Sequence, residues 1–372
     1  MIHSVEIENF KNIRHQKIDL ERLTVFVGPN GCGKTSVLQA IHRAVWMIAA
    51  EPPLDKWWKD RRGVWTMSLD WLATRGVTGE MMLRYTTSVG DFTVVPRPID
   101  PLPANASETD NRVWMPDVEW PYHPSTLSAT DTASRLLAIH LGAATLSSPS
   151  YSDRSPPLLG ADGRGLPSVL AYMALNDPDG FDTLVDEFRS LIPQVRRLRF
   201  TKMPVEREET ELVRFGNESI ERKMTREFQG DAILFDFENA KGVMAQTVSE
   251  GTMLLLGLLT VLLGPDAPDV LLLDDIEHGL HPLAQKNLLE TLATIMERFP
   301  NLQILATAHS PYLLDELKPE QVRLMTIGAD GYSVCGKLTD HPEFEKWKDE
   351  MAPGELWSLF GEKWLTEASV TP

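Results

Sequence analysis

A glycine-rich segment near the start of the chain has the residue types and spacing of a phosphate-binding loop. Gly28, Gly33, Lys34 and Thr35 fill the pattern G-x-x-x-x-G-K-[ST]. In this pattern backbone N–H groups surround phosphates, the lysine reaches the β- and γ-phosphates, and the hydroxyl binds Mg²⁺. The residues predicted to contact a nucleotide here are Pro29, Asn30, Gly31, Cys32, Gly33, Lys34, Thr35 and Ser36.

The residues on both sides of this loop support the same interpretation. Residues 23–27 form a short apolar, β-branched run, which predicts a buried strand. Residues 36–45 place their apolar side chains on one helical face. The N-terminus of that helix would add N–H groups and the positive end of its dipole to the loop. A strand, a loop and a helix in this order favour a phosphate site over a glycine-rich turn without a ligand.

A second apolar strand, at 268–273, delivers carboxylates at its C-terminal end. Asp274 comes first and is the residue that we expect on Mg²⁺, together with Thr35. Asp275 is the candidate base that orients or deprotonates a water, and Glu277 is the reserve for that role. Ligands collect at the C-terminal ends of parallel strands, which disfavours the alternative of an acidic turn without catalysis.

A third buried strand is predicted at 301–307, and His309 follows it. A histidine at a strand tip can bond a γ-phosphate oxygen and so respond to whether ATP is intact. Taken alone, such a histidine is more often a core or capping residue. Here it follows the third strand end with polar chemistry, so the catalytic interpretation is preferred.

A second anion site is predicted where Ser249 and Gly251 precede an apolar helix at 253–263. One chain already has its own phosphate loop. We therefore expect this second site to bind the γ-phosphate of a nucleotide held by another copy, so that ATP bridges a homodimer or a higher homo-oligomer.

Composition and charge restrict the class of protein. The 372 residues carry a formal net charge of −17, which disfavours a surface broadly coated for nucleic acid. Basic stretches at 196–199 and 59–62 leave a localised DNA contact open, beside the alternative of solvated or acid-paired faces. No secretion signal or membrane span is recognised. The two cysteines, Cys32 in the phosphate loop and the distant Cys335, do not form a disulfide framework. These features predict a cytoplasmic protein without a membrane partner.

The remaining pattern predicts how the chain is organised. The expected strands are 2–8 and 16–20, joined by a turn at 9–14, with a hairpin at 81–85 and 92–95 and further strands at 195–203 and 210–215. The expected helices are 166–174 and 181–192. A tryptophan-rich stretch contains Trp57, Trp58, Trp65 and Trp71, most simply as packing residues, and 96–165 is expected to be a loop-dominated insertion.

With these motifs together, the chain resembles the ABC-type ATPase heads of the RecF, SMC and OLD group, especially the short RecF-like AAA family ATPases of bacterial defence loci. The resemblance is carried by 5–11 before the phosphate loop, 249–252 as the signature motif, 274–282 as the Walker B motif and D-loop, His309 as the switch histidine, and 353–357 with 361–364 in the tail. It implies an α/β P-loop NTPase of the ABC/SMC-head type, with a mixed sheet flanked by helices and a helical, loop-rich insertion between the halves of the nucleotide site. The implied parts are 1–50 and 231–338 as the two halves of the ATPase core, 51–230 as the insertion and 339–372 as a helical tail.

The resemblance also implies a function. It is that of an ATPase, with ATP and Mg²⁺ as cofactors, which forms head-to-head dimers and acts as a sensor or switch for a separately encoded effector, a nuclease or toxin, in anti-phage defence. Asp275 stands where the group usually has a longer Glu, which implies slow hydrolysis. The alternatives are a RecF-like repair ATPase that acts directly on DNA and an ATP-stabilised scaffold with little hydrolysis.

Two further expectations concern neighbouring functions. A phosphate-loop kinase is disfavoured because it would leave 249–252 without a role. The stretch after His309 is short and its acidic residues occur at helical spacing, so we expect a solvated helix face there rather than the nuclease domain of OLD proteins. No glutamine switch loop is assigned.

Overall fold

The computed structural model describes residues 1–49, 81–87, 90–98, 114–119, 136–215, 218–264, 267–277 and 282–367. The chain forms two units, Met1–Ala138 with Pro268–Glu277 and Leu292–Pro372, and Ile139–Ala267 with His278–Thr291. The predicted division at residues 50, 230 and 338 stays a prediction. The four tryptophans of the stretch that begins at Trp57, and the D-loop residues His278 and His281, lie outside the described residues.

The regular elements are named here in chain order. The strands are β1 (Ile2–Phe10), β2 (Ile13–Asp19), β3 (Leu23–Val27), β4 (Met82–Thr87), β5 (Gly90–Pro98), β6 (Trp114–Glu119), β7 (Leu136–Ile139), β8 (Val195–Phe215), β9 (Glu218–Phe237), β10 (Val243–Met244), β11 (Val270–Leu273), β12 (Gln303–Ala308), β13 (Val322–Ile327) and β14 (Ser333–Lys337). The helices are α1 (Lys34–Ala49), α2 (Ala143–Ser147), α3 (Leu166–Asn176), α4 (Pro178–Leu191), α5 (Glu250–Leu262), α6 (Pro282–Arg298), α7 (Pro311–Leu314), α8 (Phe344–Trp347), α9 (Pro353–Phe360) and α10 (Trp364–Glu367).

The central sheet has the strand order β14-β13-β3-β12-β11-β7. Every residue of β3, β11 and β12 is buried, which is why their sequences are mostly apolar and do not alternate with exposed polar residues. β12 pairs in parallel with β3 and β11, and β13 pairs in parallel with β3 but antiparallel with β14. The predicted mixed α/β sheet is therefore confirmed. The loops that follow β3, β12 and β11 emerge at one edge of this sheet.

An antiparallel sheet of order β2-β1-β4-β5-β6 completes the first unit. Its inward side chains, Val5 and Ile7 among them, share a buried core with Phe26 and with Val37 of α1. The two predicted hairpins are confirmed, and β4 pairs with β1. The predicted turn at 9–14 was too long, because buried Ile13 already pairs with Phe10. The turn is confined to residues 11 and 12.

The second unit contains a long two-stranded ribbon. β8 and β9 pair antiparallel without a break from residue 197 to residue 215, so the two strands predicted at 195–203 and 210–215 are one strand. The residues between the two predicted strands belong to the ribbon, where Glu206, Arg207 and Glu208 are exposed on a strand that continues past them. The predicted helices are present as α3, α4 and α5.

In the segment 96–165, expected to be dominated by loops, the described residues form the end of β5 with β6, β7 and α2, and most of the others are irregular. One other prediction needs correction. The acidic tail, expected to be a helix face, forms only the single turn α8, with Glu343 and Glu345 paired to lysines three residues away. Among the described helices none is long and apolar enough to cross a membrane.

Gln303, the first residue of β12, tests how the central sheet is held together at the edge opposite the loops that follow β3, β11 and β12. Its side chain is fully buried, donates to the carbonyl oxygens of Ile2 (2.7 Å) and Glu21 (3.1 Å), and accepts from the Ile2 N–H (2.8 Å). Gln303→Leu leaves these backbone groups without that partner, so we expect the free energy of unfolding to fall by about 2–3 kcal/mol. Urea denaturation followed by tryptophan fluorescence measures this. The exposed control Gln194→Leu should change it by less than about 0.5 kcal/mol, and equal effects would contradict the prediction.

Candidate functional site

The loop after β3 depends on two glycines whose backbones lie against neighbouring strands. Gly28 has φ 149°, and a Cβ there would lie 2.0 Å from the carbonyl oxygen of Met325 on β13. Gly33 has φ 106°, and its Cβ would lie 2.4 Å from the hydroxyl oxygen of Ser333 on β14. A side chain at either position would therefore clash and strain the backbone. Glycine is required here because the loop turns tightly against the sheet before α1 begins.

Lys34 places a buried cation inside this loop. Only 4% of the residue is exposed, and its Nζ donates to the carbonyl oxygens of Gly28 (2.8 Å) and Pro29 (3.0 Å). The partners of the ammonium are thus backbone dipoles, and α1 begins at the same residue with its positive dipole end. Such an arrangement attracts phosphate. Of the other predicted contact residues, Pro29, Asn30 and Gly31 are exposed, Cys32 and Gly33 are buried, and Thr35 and Ser36 are half-buried.

Asp274 lies beside the first turn of α1, as the sequence predicts for two residues that share a metal ion. The Thr35 hydroxyl donates to Asp274 Oδ1 at 3.0 Å. The same carboxylate oxygen accepts from the Thr307 hydroxyl at 2.6 Å. Thr307 is a site residue that the sequence analysis missed. Its signal was available, since it is a polar residue, fully buried, within the apolar run of β12.

Asp275 and His309 meet at the tips of neighbouring strands. His309 Nε2 lies 3.2 Å from Asp275 Oδ1, and each side chain is 36% exposed. The Asp275 N–H donates to the Thr307 hydroxyl at 2.8 Å, and the Ile276 N–H donates to the Thr307 carbonyl at 3.1 Å. The turn that carries Asp275 is therefore held directly by β12, the strand that leads to His309.

Glu277 contacts the same histidine through the main chain. Its Oε1 accepts from the His309 N–H, whereas Oε2 is buried without a hydrogen-bond partner among the described residues. Burial raises the pKa of the Glu277 carboxyl, against the smaller lowering effect of that hydrogen bond. An orphaned acceptor of this kind suits a bound water. Thr35 and Asp274 offer the oxygen ligands that Mg²⁺ prefers. These two side chains therefore fit the ion, and Glu277 fits the water.

Two residues that the sequence analysis did not select hold the phosphate loop from outside. The Asn12 side chain, in the turn between β1 and β2, donates to the Gly31 carbonyl at 3.1 Å. The Ser333 hydroxyl donates to the Cys32 carbonyl at 2.7 Å, and the Ser333 N–H donates to the Asn12 carbonyl at 2.8 Å. No sequence pattern links these residues, because Ser333 and Cys32 are 301 positions apart.

Ser249 and Gly251 lie in the second unit. Ser249 caps α5, where its hydroxyl accepts from the Thr252 N–H at 3.3 Å. Gly251 lies in the first turn of α5 without a positive φ, and a Cβ there would meet none of the described residues within 4 Å. Packing within the unit therefore gives no reason for glycine, although glycine costs a helix about 1 kcal/mol relative to alanine.

Comparison with known families identifies the class of this site. A family model described as "AAA domain, putative AbiEii toxin, Type IV TA system" matches residues 23–315, and one described as "AAA ATPase domain" matches residues 1–44. The first match spans more than half of the chain and contains the phosphate loop, the acidic residues after β11 and His309. No curated protein has a sequence significantly similar to that of this chain.

Solved structures of SMC heads resemble the chain. The head of an SMC protein bound to the C-terminal winged-helix domain of ScpA matches with a TM-score of 0.53 at 13% identity, over 91% of this chain and 98% of that chain. The SMC head of Thermotoga maritima gives 0.45 at 12% identity (90% and 98% covered), and that of Pyrococcus furiosus, in complex with the C-terminal domain of ScpA, gives 0.49 at 11% identity (94% and 99% covered). The first of these supports an SMC-head-like fold.

Ser333 tests whether the outer contacts matter to the loop. Ser333→Ala removes the hydrogen bond to the Cys32 carbonyl, worth about 0.5–1.5 kcal/mol. We expect the dissociation constant for ATP, measured by titration calorimetry in Mg²⁺, to rise about two- to tenfold. The exposed control Ser358→Ala should leave it unchanged. Wild-type affinity in a stably folded Ser333→Ala protein would show that the loop does not need this contact.

Proposed function

The chain belongs to the AAA-domain family described as AbiEii-like, and from this premise we propose that it binds ATP with Mg²⁺, hydrolyses it slowly and uses the nucleotide to bridge a homodimer. The observation that carries the proposal is the convergence of Lys34, Thr35, Asp274, Asp275 and His309. They extend from the ends of β3, β11 and β12. Thr35 donates a hydrogen bond to Asp274, and His309 Nε2 lies 3.2 Å from Asp275 Oδ1. Such a set combines phosphate binding, metal binding and water activation.

Each side chain has a separate task in this proposal. Lys34 exchanges its carbonyl partners for the β- and γ-phosphates, while the loop and the start of α1 hold the rest of the phosphate chain. Thr35 and Asp274 hold Mg²⁺, which supplies positive charge to the phosphate oxygens when bound. Asp275 accepts a proton from the attacking water or orients it, and His309 donates to the γ-phosphate as negative charge shifts during cleavage.

The two acids near His309 provide the first test. Asp275→Asn keeps the shape but removes the base, so we expect kcat to fall by at least about 100-fold with ATP affinity unchanged. Glu277→Gln keeps an acceptor for the His309 N–H, and we expect a loss of about tenfold or less. Phosphate release under saturating ATP measures both. The exposed Asp349→Asn variant controls for the change in charge.

The relative order of the two losses decides the assignment. A much larger loss in Glu277→Gln than in Asp275→Asn would identify Glu277, with its buried and unpartnered oxygen, as the base. Wild-type hydrolysis in both variants would favour the scaffold alternative, in which ATP only stabilises an assembly.

The dimer rests on Ser249 and Gly251. A helix start with a capping serine offers N–H groups to an anion, and the unexplained glycine leaves open space where a phosphate of another copy can approach. A homodimer would use both signature motifs in this way. The nucleotide would then belong to the interface, and hydrolysis would separate the copies.

Light scattering tests the bridge. The mass of the wild type should double with ATP and Mg²⁺ but not with ADP, and Lys34→Ala should stay monomeric. Gly251→Arg should fold normally, since a Cβ there meets none of the described residues within 4 Å and the side chain can extend outward, yet it should not dimerise. Gly251→Ala is the matched control and should retain dimerisation. An ATP-independent mass for the wild type would contradict the nucleotide bridge.

The setting of this ATPase follows from its relatives. The family description names a toxin and a type IV toxin–antitoxin system, and an SMC head with the same fold was solved with a partner domain of ScpA. We therefore propose a cytoplasmic switch in anti-phage defence that controls a separately encoded effector, a nuclease or toxin. The ATP-bound dimer is the form in which we expect that effector to bind.

Direct action on DNA is less well supported. In the basic stretch of β8, Arg196 forms an ion pair with Glu238, Arg199 pairs with Asp236 at 2.7 Å, and Lys202 pairs with Asp231 at 2.7 Å. Acids of the same ribbon thus neutralise these cations, as expected for an acid-paired face. A DNA-repair ATPase would need a continuous basic surface, so the effector hypothesis is preferred.

A further inference from the structure

The C-terminal helix α9 contacts the segment that carries His309. Gly354, in its first turn, lies so close to α7 that a Cβ would be 2.0 Å from the Pro311 carbonyl oxygen and 2.6 Å from Asp315 Oδ1. The backbone of Gly354 does not adopt a left-handed conformation, so only this close approach requires glycine. Pro311 follows His309 by two residues.

A hydrogen bond accompanies the close approach. The Gly354 N–H donates to Asp315 Oδ1 at 2.9 Å, so a side chain at the end of α7 caps the start of α9. Asp315 is the acceptor for one of the N–H groups that a helix start leaves unpaired. Partial burial of the carboxyl raises the pKa of Asp315, against the lowering effect of the hydrogen bond from Gly354.

The opposite side of α7 is fixed to the core. Leu313 and Leu314 are both fully buried, so the short helix has little freedom to move inward. α9 therefore closes the outer side of a segment whose inner side is packed. Ser310 alone separates His309 from Pro311, so a shift of this segment would move the histidine.

We propose that α9 positions His309 for hydrolysis through the contact of Gly354 with Pro311 and Asp315. Gly354 and Asp315 are then positioning residues, since neither touches the predicted nucleotide. The proposal rests on the function proposed for His309, and it gives the tail a role in turnover. A change in α9 would alter kcat without altering how tightly the phosphate loop holds ATP.

Kinetics of Gly354→Ala test the proposal. The added methyl group must displace the Pro311 carbonyl, so we expect kcat to fall about 10- to 100-fold, with the ATP dissociation constant within about twofold of the wild type. Ser358→Ala, an exposed change in the same helix, should have neither effect. Unchanged kcat in a folded Gly354→Ala protein, or equal losses of affinity and kcat, would overturn the proposal.

A double-mutant cycle connects the effect to the histidine. In a His309→Ala background, Gly354→Ala should reduce kcat by no more than about twofold further, because the imidazole that it would misplace is absent. Additive losses would mean that the tail acts elsewhere. Should Gly354→Ala fail to fold, Asp315→Ala removes the hydrogen bond from the Gly354 N–H without added bulk and is expected to show the same split and the same non-additivity.

A spectroscopic readout separates this proposal from the proposed ATPase activity. In nucleotide-free protein labelled with ¹³C at histidine Cε1, the resonance lost in His309→Ala should shift in Gly354→Ala and stay in place in Ser358→Ala. A wild type without ATP hydrolysis would refute the proposed function, while this shift would still establish that α9 positions His309. An unmoved resonance would refute the positioning whatever the activity.

Discussion

Parallel pairing of β12 with β3 and β11 is the constraint on which the site depends. Ala308 lies opposite Val27, and Leu273 lies opposite Ala306, so three strand ends meet at one edge. A slip of one residue would move an end by about 3.3 Å, more than the length of the bonds from Asp274 to its hydroxyl partners. Complete burial of these strands opposes such a slip because it would misplace every apolar side chain. At the far end of β12, the Gln303 side chain forms hydrogen bonds with the main chain of Ile2, and these bonds favour the same register.

Elements that seem peripheral to the sheet hold the phosphate loop in place. Asn12 in the β1–β2 turn and Ser333 on the edge strand β14 form hydrogen bonds with the loop. The backbone of β13 lies so close to Gly28 that it leaves no space for a side chain there. Asn12 and Ser333 also bond to one another through their backbones. The loop is thus braced on its outer side before any ligand arrives. Bracing of this kind lowers the entropy lost on binding, which is one reason for an antiparallel hairpin on each side of the loop.

The residues of this site that belong to local sequence motifs could be predicted from the sequence. The residues that join the site only through contacts between distant parts of the chain could not. The loop around Lys34 and the apolar runs before Asp274 and His309 depend on neighbours in the chain, and the structure brings these residues together as expected. Ser333 was not predictable, because its role arises only when β14 lies beside the loop. The prediction of two strands in place of β8 was wrong for a related reason. A charged residue such as Glu206 can lie in a strand when the residue paired with it is also exposed, and the sequence alone does not reveal which residue that is.

The backbone at Asp275 gives a physical reason for the residue found there. Its φ of 50° lies in the left-handed region, which a short polar side chain tolerates better than a long one. The Asp275 carboxylate then reaches His309 Nε2 at 3.2 Å, while Glu277 accepts from the main-chain N–H of the same residue. The histidine is held at its ring by one acid and at its backbone by the other. An acid that already contacts an imidazole has less freedom to bind and orient a water, so this pairing, like the shorter side chain, supports the slow turnover that we propose. Slow turnover prolongs the ATP-bound state, and a long-lived ATP-bound state is what a switch that must wait for a partner requires.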